Sequence, residues 1–103
     1  MAITIKADKD KREAILILTE RLTFDQHRAF TAAYKELNGD YSHYVLDMGR
    51  LEYLDSAALG MLLKFKEHLG GNGKKITILA GQGVVADVLR VSRFDQIFDL
   101  KVA

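Results

Sequence analysis

Three short apolar runs, each separated from the next by a segment with helical periodicity, constrain the fold of this chain more than any other feature. The runs cover residues 14–18, 44–48 and 75–80, and each contains β-branched residues, which favour strands. Parallel strands that are separated by helices need crossover connections, which are right-handed in nearly all cases. The pattern therefore predicts an α/β domain with a mostly parallel sheet.

The remaining segments complete the predicted order of elements. Residues 3–7 alternate apolar and polar side chains, which predicts an edge strand with one wet face, and residues 9–12 are the expected turn. The continuous run at 14–18 predicts a strand that is covered on both faces. Residues 94–100 fit either a short helix or a last edge strand. We expect the order β-β-α-β-α-β-α, a mixed, mostly parallel sheet with helices packed against it, in a single domain over residues 1–103.

Local signals predict where the helices begin and end. Thr23 and Gln26 have the spacing of a capping box, so we expect a helix from there to about Leu37, ended by Asn38 and Gly39. A second helix is predicted over residues 57–69, with the glycine-rich segment 70–73 ending it. A third is predicted over residues 84–91.

Composition excludes several classes of function. The chain has 103 residues, with 15 Lys and Arg against 14 Asp and Glu, so it carries no electrostatic footprint for nucleic acid. It has no cysteine, which removes disulfides, thiol catalysis and thiolate metal sites, and its three histidines are scattered. No signal peptide is recognisable and the longest apolar stretch is too short to span a bilayer. We therefore expect a soluble cytoplasmic protein with no membrane insertion, no metal and no cofactor.

The segment 81–86 superficially fits a dinucleotide-binding fingerprint, because two glycines follow a predicted strand and open a predicted helix. The context fails, since the chain that remains is too short to supply a ribose-binding acid and a second half of the fold. Nucleotide binding is therefore not expected at this loop.

Asp55 and Ser56 stand where the predicted strand at 44–48 leads to the second helix. An Asp or Ser before an apolar helix is first of all an ordinary N-cap. If Asp55 is the cap, the Ser56 hydroxyl is free to point outward and becomes a chemically sensible phosphate acceptor. The sequence leaves both interpretations open.

Gly60 lies one turn after Ser56, on the face of the second helix opposite the apolar stripe of Ala58, Leu62, Phe65 and Leu69. Glycine inside a helix costs about 1 kcal/mol relative to alanine. Either Gly60 leaves bare surface that another backbone can approach, or it relieves crowding against a neighbouring element. Spacing alone does not choose between these alternatives.

The segment Leu54-Asp55-Ser56-Ala57-Ala58-Leu59-Gly60, with the strands around it, resembles a STAS domain. It is similar, more narrowly, to the anti-sigma factor antagonists (anti-anti-sigma factors) of bacteria, and the resemblance covers essentially the whole chain. It implies a non-enzymatic partner switch: the chain binds an anti-sigma factor that is also a serine kinase, or a related kinase-containing regulator. Phosphorylation of Ser56 then releases this partner, and a PP2C-type phosphatase restores binding.

The resemblance also implies where the partner is contacted. The implied positions lie around the phosphorylation site and on the loop before the first helix: Asp55, Ala57, Gly60, Leu63, Lys64, Arg21 and Thr23.

The chain departs from the family pattern at a few positions. Glu20 stands where a glycine is usual, Thr23 lies near a position that is usually acidic, and Ala57-Ala58 replaces a frequent Ser-Gly pair. Ser56 is present despite these changes, which bear on the loop contacts and on the identity of the partner and suggest a kinase-bearing partner different from that of the best-known systems. A second hypothesis is a STAS accessory subunit of a membrane transport complex, bound to an ATPase and never phosphorylated. The Asp55-Ser56 pair and Gly60 favour the first hypothesis without excluding the second.

Overall fold

Five strands form one sheet in the computed structural model, which describes residues 2–37, 41–70 and 74–103. In chain order they are β1 (Ala2–Asp8), β2 (Glu13–Leu22), β3 (His43–Leu54), β4 (Lys75–Ala80) and β5 (Asp99–Val102). They lie side by side in that same order, with β1 antiparallel to β2 and all other neighbours parallel. The predicted mixed, mostly parallel sheet with β1 at its edge is therefore confirmed.

The described residues contain three α-helices: α1 (His27–Lys35), α2 (Ser56–Leu69) and α3 (Val84–Val91). Short 3-10 turns precede α1 and β5, at Phe24–Gln26 and Phe94–Gln96. Both interpretations of residues 94–100 are therefore realised in succession, and the complete order is β-β-α-β-α-β-α-β.

The helix ends differ little from the prediction. Helix α1 ends two residues before Leu37, and its predicted stop at Asn38 and Gly39 lies outside the described residues, as does segment 71–73. Gly70 follows α2 with a φ of 77°, a left-handed conformation that glycine adopts without strain.

The core lies between the helices and one face of the sheet. Alternate residues of β2, β3 and β4 point into it, and each helix adds its apolar stripe. Phe65 of α2 is fully buried at the centre, with ring centroids 5.1 Å from Tyr34 and 6.0 Å from Phe30 of α1. The predicted stripe of α2 is confirmed, with Ala58, Leu62 and Phe65 buried and Leu69 partly buried.

The opposite face of the sheet carries no helix among the described residues. The strands follow one another in chain order, so each crossover moves in the same direction along the sheet. Because crossovers are right-handed, every helix then falls on the same face. The prediction that residues 14–18 are covered on both faces is therefore wrong: Leu16 is fully buried, but Ile15 and Ile17 are only partly buried.

A chain of polar contacts crosses four strands on this uncovered face. His43 lies 3.1 Å from a carboxylate oxygen of Glu13 through Nδ1, and 2.8 Å from the Thr77 hydroxyl through Nε2. The Thr77 hydroxyl donates in turn to Oδ2 of Asp99 at 3.2 Å. These contacts tie the short strand β5 to the middle of the sheet.

The carboxylate of Asp99 makes the contact between β4 and β5 sensitive to acid. Partial burial opposes ionisation of Asp99, but the hydrogen bond from Thr77 and the charges of Lys75 and Lys101 outweigh it, so the pKa of Asp99 lies below its ordinary value of 3.8. A carboxyl whose pKa is lower in the folded state stabilises the fold above its unfolded pKa. That contribution is lost as the pH falls through the lowered value.

We therefore expect Asp99→Asn to lower the urea midpoint near neutral pH and to have a smaller effect at acidic pH, below the ordinary carboxyl pKa of 3.8, where the charge of Asp99 is progressively lost. Urea unfolding of both proteins at the two pH values measures this. A difference between the proteins that is the same at both pH values would contradict the role of the Asp99 charge.

Candidate functional site

Strands β2 and β3 extend together beyond the rest of the sheet, and the candidate site lies where they end. The strand predicted at residues 44–48 is therefore too short, because β3 continues to Leu54. The pairing shifts register twice, between Ile17 and Thr19 and again between Glu20 and Arg21. Irregularities of this kind bend a strand pair and re-aim its end.

Glu20 stands at the second of these shifts with a φ of 71°. This left-handed conformation costs a non-glycine residue about 1 kcal/mol or more. The position is the one at which the STAS-like pattern led us to expect glycine, and the backbone has the geometry that glycine favours.

Asp55 follows β3 directly and joins three elements. Its backbone N–H donates to the carbonyl of Leu22 at the end of β2, at 3.3 Å. Its Oδ1 accepts from the backbone N–H of Ala58 at 2.9 Å, which caps α2, and its Oδ2 accepts from the backbone N–H of Phe24 at 3.2 Å. Asp55 is therefore the N-cap of α2 and also holds the start of the turn that leads into α1.

Ser56 is the first residue of α2 and its side chain is exposed. Within the described residues its Oγ makes no hydrogen bond, because Asp55 performs the capping. Of the two alternatives that the sequence left open, the structure has the one in which the hydroxyl is free. An anion at this position would also face the partial positive charge of the helix N-terminus.

Gly60 lies one turn further along the exposed face of α2. A Cβ built on Gly60 would meet no heavy atom within 4 Å, apart from its own neighbourhood in the helix. Crowding against another part of the described chain therefore does not explain this glycine, and the surface beside Ser56 is bare.

Three exposed apolar side chains belong to the segments that meet at Asp55: Phe24, whose N–H donates to Asp55, Tyr53 near the end of β3, and Leu63 on α2. Phe24 is 68% exposed, Tyr53 44% and Leu63 41%. We call the area the Ser56 surface and define it by Phe24, Tyr53, Ser56, Gly60 and Leu63. It combines small residues that permit close approach with apolar side chains at its margins, an arrangement suited to a protein partner.

The residues that the resemblance implied as partner contacts divide into two groups. Gly60 and Leu63 share the exposed stripe of α2 with Ser56, and Ala57 is half-buried beside them. Lys64 is exposed but lies about 12 Å along the helix axis from Ser56, at 1.5 Å per residue.

Arg21 and Thr23 stand on the chain that leads to α1. The Arg21 guanidinium lies 5.6 Å from the ring centroid of Tyr53, across the β2–β3 pair, so it joins the margin of the Ser56 surface. The Thr23 hydroxyl donates to the side-chain oxygen of Gln26 at 2.6 Å, and the same oxygen accepts from the Thr23 backbone N–H at 2.7 Å. The reach of Gln26 back to Thr23 confirms that part of the capping box and gives Thr23 a local structural role.

Phe24 and Tyr53 did not emerge from the sequence as site residues. A capping box places Phe24 at the start of a helix, but it does not tell whether the ring enters the core, and the ring is exposed in the structure. Tyr53 was missed because the predicted strand stopped at Met48. The apolar residues at 51, 53 and 54 were the available signal for a longer strand.

Other candidate sites receive structural explanations. The segment that fits a dinucleotide fingerprint has Gly81 where a Cβ would lie 3.0 Å from the carbonyl oxygen of Gly49, and Gly83 with a φ of 128° before α3. Backbone proximity and conformation thus account for both glycines. In residues 2–37, 41–70 and 74–103, no three His, Cys, Asp or Glu side chains are grouped as metal ligands, and no helix is long and apolar enough to cross a membrane.

Comparison with known proteins identifies the family. The family model described as "Mlab, STAS domain" matches residues 5–101. A STAS-domain containing protein of Pseudomonas aeruginosa (strain UCBPP-PA14) is 35% identical over 100 residues, which cover 97% of this chain and 99% of that protein. The chain belongs to the STAS domain family. Domains of this kind are typically regulatory and non-catalytic.

Solved structures show that this STAS domain has the fold of SpoIIAA. The unphosphorylated anti-sigma factor antagonist SpoIIAA superposes with a TM-score of 0.81 at 16% identity, covering 99% of this chain and 88% of that one. A Thermotoga maritima protein named as a candidate anti-sigma factor antagonist also gives a TM-score of 0.81, at 20% identity, covering 98% of this chain and 86% of that one. At these identities the likeness establishes the fold.

Proposed function

We propose that this STAS domain is an anti-sigma factor antagonist that acts by partner switching in the cytoplasm. Unphosphorylated, it binds an anti-sigma factor that is a serine kinase, or a related kinase-containing regulator, through the Ser56 surface. Phosphorylation of Ser56 ends this binding, and a PP2C-type phosphatase restores it. The domain itself, over residues 1–103, catalyses no reaction in this cycle.

The observation that carries the proposal is that Asp55, and not Ser56, caps α2. Asp55 caps α2 with a 2.9 Å hydrogen bond, so the adjacent hydroxyl is exposed and has no structural hydrogen bond to lose. Modification of the Ser56 hydroxyl therefore removes no hydrogen bond that Ser56 itself makes in the described structure. A phosphate at a helix N-terminus is also favourable for the fold itself.

The modification is a transfer of the γ-phosphoryl group of ATP. A bond forms between Ser56 Oγ and the γ-phosphorus, the bond from that phosphorus to the bridging oxygen of ADP breaks, and the hydroxyl proton passes to a base of the kinase. Catalysis of such a transfer rests mainly on positioning and charge stabilisation by the kinase. The acceptor needs only an accessible hydroxyl, which Ser56 provides.

The effect on binding follows from charge. A phosphoserine carries about −1.5 to −2 charges at neutral pH. On the Ser56 surface this charge would stand next to the Asp55 carboxylate, and a bound partner would remove the water that hydrates it. The complex is therefore weakened.

A second candidate function is a STAS accessory subunit of a membrane transport complex, bound to an ATPase through the same surface with Ser56 never modified. One observation favours keeping it. The matching family model is described as "Mlab, STAS domain", whereas the anti-sigma factor antagonists above share the fold at 16–20% identity. The bare surface at Gly60 serves either partner.

Phosphorylation separates the two candidates. The purified chain, incubated with Mg·ATP and each serine-kinase candidate encoded near its gene, is expected to gain the mass of one phosphoryl group in intact-mass measurement. Ser56→Ala is the matched control and should gain none, because the hydroxyl is the acceptor.

A wild-type chain that remains unmodified with every such kinase would count against partner switching. If the tagged chain then co-purifies from its native cells with a transport ATPase, and Ser56→Ala does so equally, the second candidate is supported. An adduct that persists in Ser56→Ala would place the modification at another residue.

A further inference from the structure

We propose that the Asp55 carboxylate couples the charge state of Ser56 to the position of Phe24. The inference rests on the proposed function, because it concerns what phosphorylation of Ser56 does to the Ser56 surface. It assigns to Asp55 a positioning role beyond capping, and it makes the surface change shape as well as charge when Ser56 is modified.

The geometry behind this proposal is a carboxylate shared between two elements. One oxygen of Asp55 accepts from Ala58 N–H inside α2 at 2.9 Å, and the other accepts from Phe24 N–H at 3.2 Å. Phe24 lies 31 residues away in the chain, so this bond joins the start of the α1 region to the start of α2. The longer of the two bonds is the one that connects the elements.

The Phe24 ring is held by little else. It is 68% exposed and stacks on His27, whose ring centroid is 6.0 Å away on the same segment. The pairing of Leu22 with Leu54 and the bond from Asp55 N–H to the Leu22 carbonyl fix the end of β2, and the bond from Phe24 N–H to the Asp55 carboxylate extends this attachment to Phe24. Loss of that last bond would remove the side-chain contact that holds the Phe24 backbone against the start of α2.

A phosphate on Ser56 acts on this arrangement in two ways. It repels the neighbouring carboxylate, and it supplies the negative charge that the N-terminus of α2 attracts. Asp55 is then less needed at the helix end and is pushed from its shared position. The bond to Phe24 N–H is the longer of the two at 3.2 Å, and it is the one that we expect to be lost.

The experiment uses the isolated chain, with no kinase and no partner. Phosphoserine is incorporated at position 56 by codon suppression, and amide hydrogen exchange of Phe24 is followed by NMR. Loss of a hydrogen bond to a charged acceptor is expected to speed Phe24 exchange roughly tenfold. Phosphoserine at position 92, which caps the far end of α3, is the matched control and should leave Phe24 unchanged.

The role of Asp55 is tested by repeating the measurement in Asp55→Asn. Asparagine keeps one oxygen for the cap, but its NH2 group cannot accept from Phe24 N–H, and it carries no charge for the phosphate to repel. Phe24 should therefore exchange faster in unphosphorylated Asp55→Asn than in the unphosphorylated wild type. We expect Phe24 exchange in this variant to change less than about twofold on phosphorylation, so that the coupling appears as a non-additive effect of the two positions.

Two results would overturn the inference. One is a Phe24 exchange rate that phosphoserine at position 56 does not change, and the other is an equal change of that rate in wild type and in Asp55→Asn. Either result leaves the proposed function standing, since phosphate can still release a partner by charge alone. Conversely, failure of every kinase to modify Ser56 would remove the proposed function without altering these measurements.

Discussion

Ser56→Asp is expected to weaken binding of the kinase partner about a hundredfold, whereas Ser56→Ala retains wild-type affinity. Aspartate places a negative charge on the Ser56 surface beside Asp55, where a docked partner displaces the hydrating water. A penalty of about 3 kcal/mol is enough for a hundredfold change. Calorimetry or biolayer interferometry with the purified kinase that modifies Ser56 measures the effect.

Stability provides an internal check on this prediction. A carboxylate in the first turn of a helix stabilises it by about 0.3–1 kcal/mol, so Ser56→Asp should raise the urea midpoint slightly while it weakens binding. Unfolding therefore cannot account for the loss. Ser56→Asn has nearly the same size without the charge and is the matched control. Equal weakening by Asn and Asp would show that size, and not charge, governs release.

The fold was predictable from the sequence because three signals agreed: the periodicity of the apolar residues, the order of the predicted elements, and the residues that end the helices. Apolar runs near residues 14–18, 44–48 and 75–80 alternate with helical segments, and sequential right-handed crossovers leave few topologies open. The length of β3 was not predictable in the same way. Its second half, residues 49–54, contains one glycine and two charged residues, and two register shifts break the two-residue alternation that identifies a strand.

The sequence predicted the position of the candidate site but not which of two adjacent residues, Asp55 or Ser56, is the N-cap of α2. Both Asp55 and Ser56 can cap a helix, and only the backbone decides which side chain faces the free N–H groups. Phe24 illustrates a second limit. Its backbone N–H donates to Asp55, 31 residues away in the chain, and no local pattern encodes such a contact.

Gly60→Leu is expected to stabilise the isolated domain and to weaken partner binding at least tenfold. Replacing an exposed helical glycine by a good helix former contributes about 1 kcal/mol to the free energy of unfolding, and no described neighbour opposes the new side chain. The same side chain fills the bare area beside Ser56, where a partner approaches closely. Gly60→Ala should give the gain in stability with a smaller loss of affinity.

The predicted changes in stability and in partner affinity have opposite signs, so a general loss of folding cannot explain both. A glycine retained at a cost to the free domain is explained only if something outside the domain uses the space, so stability and affinity must move in opposite directions. Glu67→Leu adds the same side chain on the exposed stripe of α2 beyond the Ser56 surface and is the matched control. Urea unfolding and binding are measured for all three variants. If Gly60→Leu binds as tightly as Glu67→Leu, the partner does not approach α2 at Gly60, and the Ser56 surface must be redrawn around Phe24 and Tyr53.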